Sequence, residues 1–180
     1  MKKFCLIFVS LLMLIFNFSS PANAATQEEI LKNTEIYPEL KEYRQIFFAN
    51  LRDRDLDWPE KSQKIIGEYL LFIVKHPRNE FVDEAKLRIA EFYELSYQKK
   101  KALPYLNDII KNHSQDDYFS LGSKYNKDTK TAAWALYYRG LWFIRPQSID
   151  DWQRVLKEYP ESKEVVGLAK AALAKFKPKN

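Results

Sequence analysis

The chain has 180 residues, four glycines and one cysteine, with 29 Lys and Arg against 24 Asp and Glu for a formal charge of +5. Gly67, Gly122, Gly140 and Gly167 each stand alone. Gly-rich phosphate loops need two or three glycines within about seven residues, so Rossmann and P-loop chemistry are excluded. A turn-rich all-β fold is disfavoured for the same reason, because hairpins and bulges lean on Gly. What remains is an all-α protein.

Lys2 and Lys3 open the chain, and residues Phe4 to Phe18 are apolar apart from Ser10 and Asn17. Ser19-Ser20-Pro21 and Ala22-Asn23-Ala24 follow. This is the three-part pattern of a secretory signal, with an A-x-A cleavage site after Ala24. The apolar run of 15 residues is short of the ~20 that a spanning helix needs. Cys5 lies inside the run, not at the cleavage point, so a lipid-anchored form is not expected. The mature chain, residues 25–180, then has no cysteine and a charge near +3, since the signal carries two lysines and no acid. A periplasmic or secreted single domain held by its core alone is expected. Nucleic acid is not an expected partner, and no integral membrane segment remains after cleavage.

Proline punctuates the rest. Thr26-Gln27-Glu28-Glu29 is a capping box, predicting a short helix over residues 25–37. A helix from Pro38 to Leu51 follows. Another begins at Asp57, with Pro59 in its first turn, and ends at His76 before Pro77. Glu80 to Tyr97 places Phe81, Val82, Ala85, Ile89, Phe92 and Tyr93 on one face. Ala102 to His113 is the next helix, and residues 114–128 read as an inserted polar loop. From Thr129 to Ile144 the apolar residues surround the axis and Arg139 is the only charge after Ala132, which predicts a buried central helix. Ser148-Ile149-Asp150-Asp151 suggests a second capping box and a helix to Tyr159. Ser162 suggests a cap for a last helix ending near Phe176.

Three of these helices end alike. Tyr69 to Pro77, Leu106 to Ser114 and Trp152 to Pro160 each place a bulky residue eight positions before the stop. An apolar pair lies five and four before it: Phe72-Ile73, Ile109-Ile110 and Val155-Leu156. His76, His113 or Tyr159 precedes the stop. The stops lie 37 and 46 residues apart, and the longer interval holds the loop. After each stop comes a helix with alanines in its first half. A period near ~34 built from helix pairs marks stacked helical hairpins.

This pattern resembles the tetratricopeptide repeat (TPR-like) family over roughly Pro38 to Phe176. Tyr69, Leu106 and Trp152 match the large residue of the second helix, and Ile73, Ile110 and Leu156 its leucine position. Pro77 and Pro160 match the terminal proline, Ala90 and Gly140 the small position of the first helix, and Tyr93 and Phe143 the aromatic after it. Ser114 departs from the proline, and Ile65 and Ser148 from the small site that Ala102 fits. The resemblance implies a domain over residues 38–180: a right-handed stack of about three hairpins, Pro38 to His76, Glu80 to His113 and Thr129 to Tyr159, with Glu161 to Phe176 as a closing helix. It is similar to periplasmic TPR-like proteins that serve envelope assembly.

The family register implies a peptide groove lined by Glu84, Leu87, Glu91 and Glu94 of one helix and Trp134, Tyr137 and Leu141 of the next. A solvated face for the acids and a core place for the aromatics are the competing readings. The loop, with Tyr118, Phe119 and Tyr125, is a candidate docking element. No catalytic constellation is present in the sequence: G-x-S-x-G is absent and the mature chain has no cysteine. His76 and His113 lack the partners of a zinc site, and Asp116-Asp117 lacks a calcium-loop pattern. No metal and no cofactor are expected. The function expected is a non-enzymatic adaptor that binds an envelope protein or peptide. The alternative is a cell-wall or glycan-binding accessory protein using its aromatics and Glu161, a residue followed by Ser162 as in lytic transglycosylases.

Overall fold

The structure, a computed structural model, describes residues 42, 45, 46, 58–118, 129–143 and 146–176. The signal segment, the helix over 25–37, most of the helix over 38–51, Asp57, Phe119, Gly122 and Tyr125 lie outside the described residues.

Six α-helices are described: α1 (Trp58–Lys75), α2 (Val82–Leu95), α3 (Leu103–Asn112), α4 (Thr131–Trp142), α5 (Pro146–Glu158) and α6 (Lys163–Lys175). A 3-10 turn, Lys99–Ala102, leads into α3. Each helix packs on the next in the chain. In addition α2 touches α4, and α4 touches α6. The fold is therefore all-α, built from helices packed as sequential pairs, with alternate helices also in contact.

Two apolar clusters hold the stack. Ile65, Tyr69 and Phe72 of α1 meet Ala85, Ile89 and Phe92 of α2, joined by Ile46. The other face of α2, with Leu87 and Ala90, joins Leu106, Ile109, Ala132, Leu136, Trp152, Val155 and Val165. Tyr93 and Tyr105 adjoin both clusters, with ring centroids 5.9 Å apart. The three equivalent bulky positions, Tyr69, Leu106 and Trp152, are all buried to within 1 %. α4 is the central helix: residues 131–136 are buried without interruption, and it contacts α2, α3, α5 and α6. Its lone charge is matched. Arg139 Nε and Nη2 donate to the two oxygens of Asp151 on α5 at 2.8 and 2.5 Å, and Nη1 donates to Asn107 on α3 at 2.7 Å. A bidentate pair of this kind fixes both distance and rotation of neighbouring helices.

Among the described glycines, Gly140 alone sits at a close contact. A Cβ built on Gly140 would lie 2.6 Å from Trp152 Nε1 and 2.9 Å from Cε2, so the indole is seated directly on the α4 backbone. At Gly67 and Gly167 nothing lies within 4 Å of the Cβ position.

Helix ends differ from the sequence expectation where tertiary partners claim the capping side chains. α5 starts at Pro146, so Ser148 lies within its first turn, and both Asp151 oxygens are held by Arg139. Ser162 stands at the start of α6 but makes no cap bond; its hydroxyl accepts from the Lys130 amide at 3.1 Å. α4 begins at Thr131, after an extended Lys130. The Thr131 amide donates to the Asp116 carbonyl at 3.2 Å, and an antiparallel bridge joins Asp117 to Lys130. The two ends of the inserted loop are thus tied together beside the start of α4. α2 ends with Tyr97 at φ 59°, where glycine is usual. The Gln98 amide donates to Tyr93 O and the Tyr97 amide to Glu94 O, the bond pair that closes a helix with a left-handed residue.

Candidate functional site

The face shared by α2 and α4 carries the densest polar and aromatic chemistry among the described residues. Its α2 side is spaced for one stripe: Glu84, Arg88 and Glu91 lie at i, i+4 and i+7. Its α4 side repeats the spacing with Trp134, Tyr138 and Trp142 at i, i+4 and i+8, and with Tyr137 and Leu141 beside them. Tyr118, from the segment after α3, lies between the helices.

The contacts form one chain. Arg88 Nη1 donates to Glu91 Oε2 at 2.6 Å, and Nη2 donates to the Tyr118 hydroxyl at 2.8 Å. The Arg88 guanidinium also stands 5.9 Å from the Tyr118 ring centroid. Tyr118 lies against Trp134 at 5.6 Å, and Trp134 against Tyr138 at 5.5 Å. Tyr138 stacks on Trp142 at 4.6 Å with the planes 5° apart. Glu91, on α2, lies near enough to Tyr138 to act on its hydroxyl. Burial pushes the Tyr138 hydroxyl well above the ordinary phenol range, and the nearby Glu91 carboxylate adds to the shift. Burial likewise raises Tyr118, against the opposing pull of Arg88. Burial of the Glu94 carboxyl raises it above the usual range, with Lys99 working the other way.

The seven groove candidates separate on this geometry. Glu84 is 1 % exposed, Leu87 is fully buried in the larger core, and Trp134 is 6 % exposed. Glu91, Glu94 and Tyr137 are half-buried, and Leu141 is 38 % exposed. The accessible part of the face is therefore Glu91, Glu94, Tyr137, Leu141 and Trp142, with Trp134 beneath it. Tyr118, expected in a docking loop, turns inward onto Arg88 and Trp134. Sequence reasoning missed Arg88, Tyr138 and Trp142, although Arg88 lies three residues before Glu91, and Tyr138 and Trp142 lie four and eight residues after Trp134.

A second polar region lies at the turn end of the stack. A cleft of about 420 Å³ opens between the α1–α2 turn and the segment after α3, and is lined by Arg78, Glu80, Glu84, His113, Asp116 and Asp117, among others. Lys86 Nζ reaches Asp108 Oδ2 at 2.5 Å and His113 Nε2 at 2.9 Å. An ammonium can only donate, so Nε2 accepts and Nδ1 donates to Asp116 at 2.7 Å. Burial alone would raise the Asp108 carboxyl, but hydrogen bonds from Lys86 and Asn112 outweigh it and hold Asp108 below its usual value. Asp117 is taken by Lys130 at 2.6 Å. His76, at the end of α1, meets Glu42 at 3.0 Å, and its ring lies 5.0 Å from Phe72. The two histidines thus serve helix ends. Among the described residues no group of three His, Cys, Asp or Glu is arranged to hold a metal ion. Glu161 is exposed in the turn between α5 and α6. No described helix is long and apolar enough to cross a membrane.

Comparison with family models, curated proteins and solved structures finds no match for this chain.

Proposed function

We propose that this chain is an exported, non-enzymatic adaptor: a divergent TPR-like helical stack that binds another envelope protein or peptide through the α2–α4 face. One observation carries the reading. Alternate helices α2, α4 and α6 contact one another in a row while every helix also packs on its chain neighbour. Stacked helical hairpins have this connectivity, and it turns the first helices of successive hairpins into one extended surface. The accessible chemistry of that surface is two carboxylates, Glu91 and Glu94, beside Tyr137, Leu141 and Trp142. Such a surface suits an extended or helical peptide with basic and apolar side chains. Arg88 holds Glu91 from beneath, and Tyr118 in turn accepts from Arg88.

The test is crosslinked capture of the full-length exported protein from an envelope extract of its own host. Leu141→Glu should lose the captured protein, because it places a charge on the accessible apolar patch without entering either core cluster. Lys157→Glu, at an exposed position of α5, should retain it. Capture that survives Leu141→Glu, or fails equally with Lys157→Glu, overturns the assignment of the face.

A further inference from the structure

The end of the stack away from the cleft gathers exposed aromatic rings and lysines. The contacts show which helix ends meet there. Lys86, in the first half of α2, reaches Asp108 and His113 of the last part of α3 and its exit. The amide of Lys130, just before α4, donates to Ser162, just before α6. The starts of α2, α4 and α6 therefore lie toward the cleft end, and their other ends lie opposite. There Arg139, late in α4, holds Asp151, early in α5, and Trp152 lies 5.2 Å from Phe176 beyond α6. α1 joins α2 through residues 76–81, a short link between antiparallel neighbours, so the start of α1 is at this end too.

Three aromatic residues are exposed among the described residues, and all three stand here: Trp58, Tyr97 and Phe176. The fold explains Tyr97 least. It holds φ at 59°, where glycine is usual, yet its ring is 84 % exposed. A strained residue that its own chain does not repay points to a role outside the fold. Lys99, Lys100 and Lys101 follow it, all exposed. Lys101 donates to Gln98, a neutral partner that leaves its charge uncancelled, while Lys99 is partly offset by the half-buried Glu94. Lys61 stands 5.9 Å from the Trp58 ring centroid, and Lys175 precedes Phe176. The exposed acids at this end, Glu60 and Asp150, lie apart on α1 and α5.

We propose that this end seats on the surface of an anionic bilayer, with the Tyr97 ring at headgroup depth and Lys99, Lys100 and Lys101 on lipid phosphates. Tyr and Trp favour the interface because one side of the ring is apolar and the other can meet water. Lysine stems lie along apolar surface while the ammonium reaches the phosphates. An acidic protein would account for the lysines alone. Aromatic rings spread over α1, the α2–α3 turn and the end of α6 suit a broad surface instead of one pocket. The helices then stand on the membrane, and the α2–α4 face, which runs along them, stays open to a partner. Vesicle binding and partner capture are separate measurements, so each reading can fail without the other.

The test is flotation of the protein exported by its host with vesicles of equal parts phosphatidylglycerol and phosphatidylcholine, and with phosphatidylcholine alone. Wild type should float with the anionic vesicles only. Replacing Lys99, Lys100 and Lys101 together by Gln should weaken binding about a hundredfold, at about fivefold per lysine. Replacing Lys111, Lys157 and Lys163 by Gln removes the same charge from the cleft end and should leave binding intact. Tyr97→Gly should weaken binding about fivefold, the worth of ~40 Å² of ring surface withdrawn from water, although it relieves backbone strain. A polarity-sensitive dye on Tyr97→Cys, in a chain carrying Cys5→Ser, should shift to the blue on the anionic vesicles, and one on Lys157→Cys should not. No flotation with anionic vesicles, equal flotation with phosphatidylcholine, equal loss in both triple variants, full binding by Tyr97→Gly, or no dye shift at position 97 each overturns the proposal. So does capture of an acidic protein by the lysine turn without vesicle binding.

Discussion

Gly140→Ala and Gly167→Ala are the same chemical change and should move stability in opposite directions. Both positions are helical, and alanine gains ~1 kcal/mol over glycine in a helix interior. At Gly167 nothing lies within 4 Å, so that gain is realised. The expected effect is a rise in Tm of roughly 2–4 °C, the usual response of a chain this size to 1 kcal/mol. At Gly140 the new methyl would start 2.6 Å from Trp152 Nε1 and 2.9 Å from Cε2, where ordinary contact needs at least 3.4 Å. The indole cannot swing away, because Trp152 is 1 % exposed and its Nε1 donates to Tyr137 O at 3.3 Å. Overpacking costs about 1–3 kcal/mol, and an orphaned buried donor about 1–3 more. Subtracting the helix gain leaves a net loss of about 3 kcal/mol, or roughly 6–12 °C in Tm. Thermal unfolding by circular dichroism measures both variants. A Gly140→Ala protein as stable as Gly167→Ala would show that Trp152 is not seated on α4, and the α4–α5 contact would have to be redrawn.

Tyr97→Gly should stabilise the chain by about 1 kcal/mol, read from chemical denaturation, since glycine removes the left-handed strain and an 84 % exposed ring has little packing to lose. No gain would mean that the ring makes contacts that offset the strain. Glu94→Gln tests the burial of that carboxyl. Its folded pKa is raised, so the charged form is disfavoured at neutral pH, and folding recovers stability as pH falls through the folded value toward the unfolded one. Glu94→Gln should therefore raise Tm at pH 7 and lose that advantage below about pH 4. An advantage independent of pH would assign the effect to something other than charge. Tyr118 and Tyr138 are held protonated by burial, so the folded state should lose stability as pH rises above about 10, where the unfolded chain ionises. Phenolate absorbance should then appear for these rings only together with unfolding, and its appearance in the folded protein would contradict their burial.

The fold was largely legible because the features that specify it are local. Prolines and apolar spacing placed α1 to α6 to within a few residues, and the recurring bulky positions pointed to Tyr69, Leu106 and Trp152 as core. The unbroken apolar circumference of the sixth predicted helix gave the central role of α4, and Gly140 emerged as a packing site. What stayed hidden depends on residues distant in sequence. Ser162 turns from its own helix to Lys130, and Asp151 to Arg139. The side chains of Ser, Thr and Asp have several backbone and side-chain options, and only tertiary structure chooses among them. The site was legible by element and not by depth. The repeat register found α2 and α4, but it assigned Glu84, Leu87 and Trp134 to an open groove where they are in fact buried. The return of Tyr118 onto Arg88 and Trp134 covers part of that face, and no spacing within either helix reveals a segment arriving from elsewhere. Leu87 lies off the apolar stripe of α2 and is buried because α2 packs against neighbours on two sides.

The central claim is that partners dock on the face of α2 and α4. The most direct measurement places a photo-crosslinking residue at Leu141, and in a separate protein at Lys157, inside the host envelope. The account predicts a discrete adduct with a second envelope protein at position 141 and none at 157, and the adduct should fade when Glu91 and Glu94 are both replaced by Gln. No adduct at 141, or the same adduct at both positions, would contradict it.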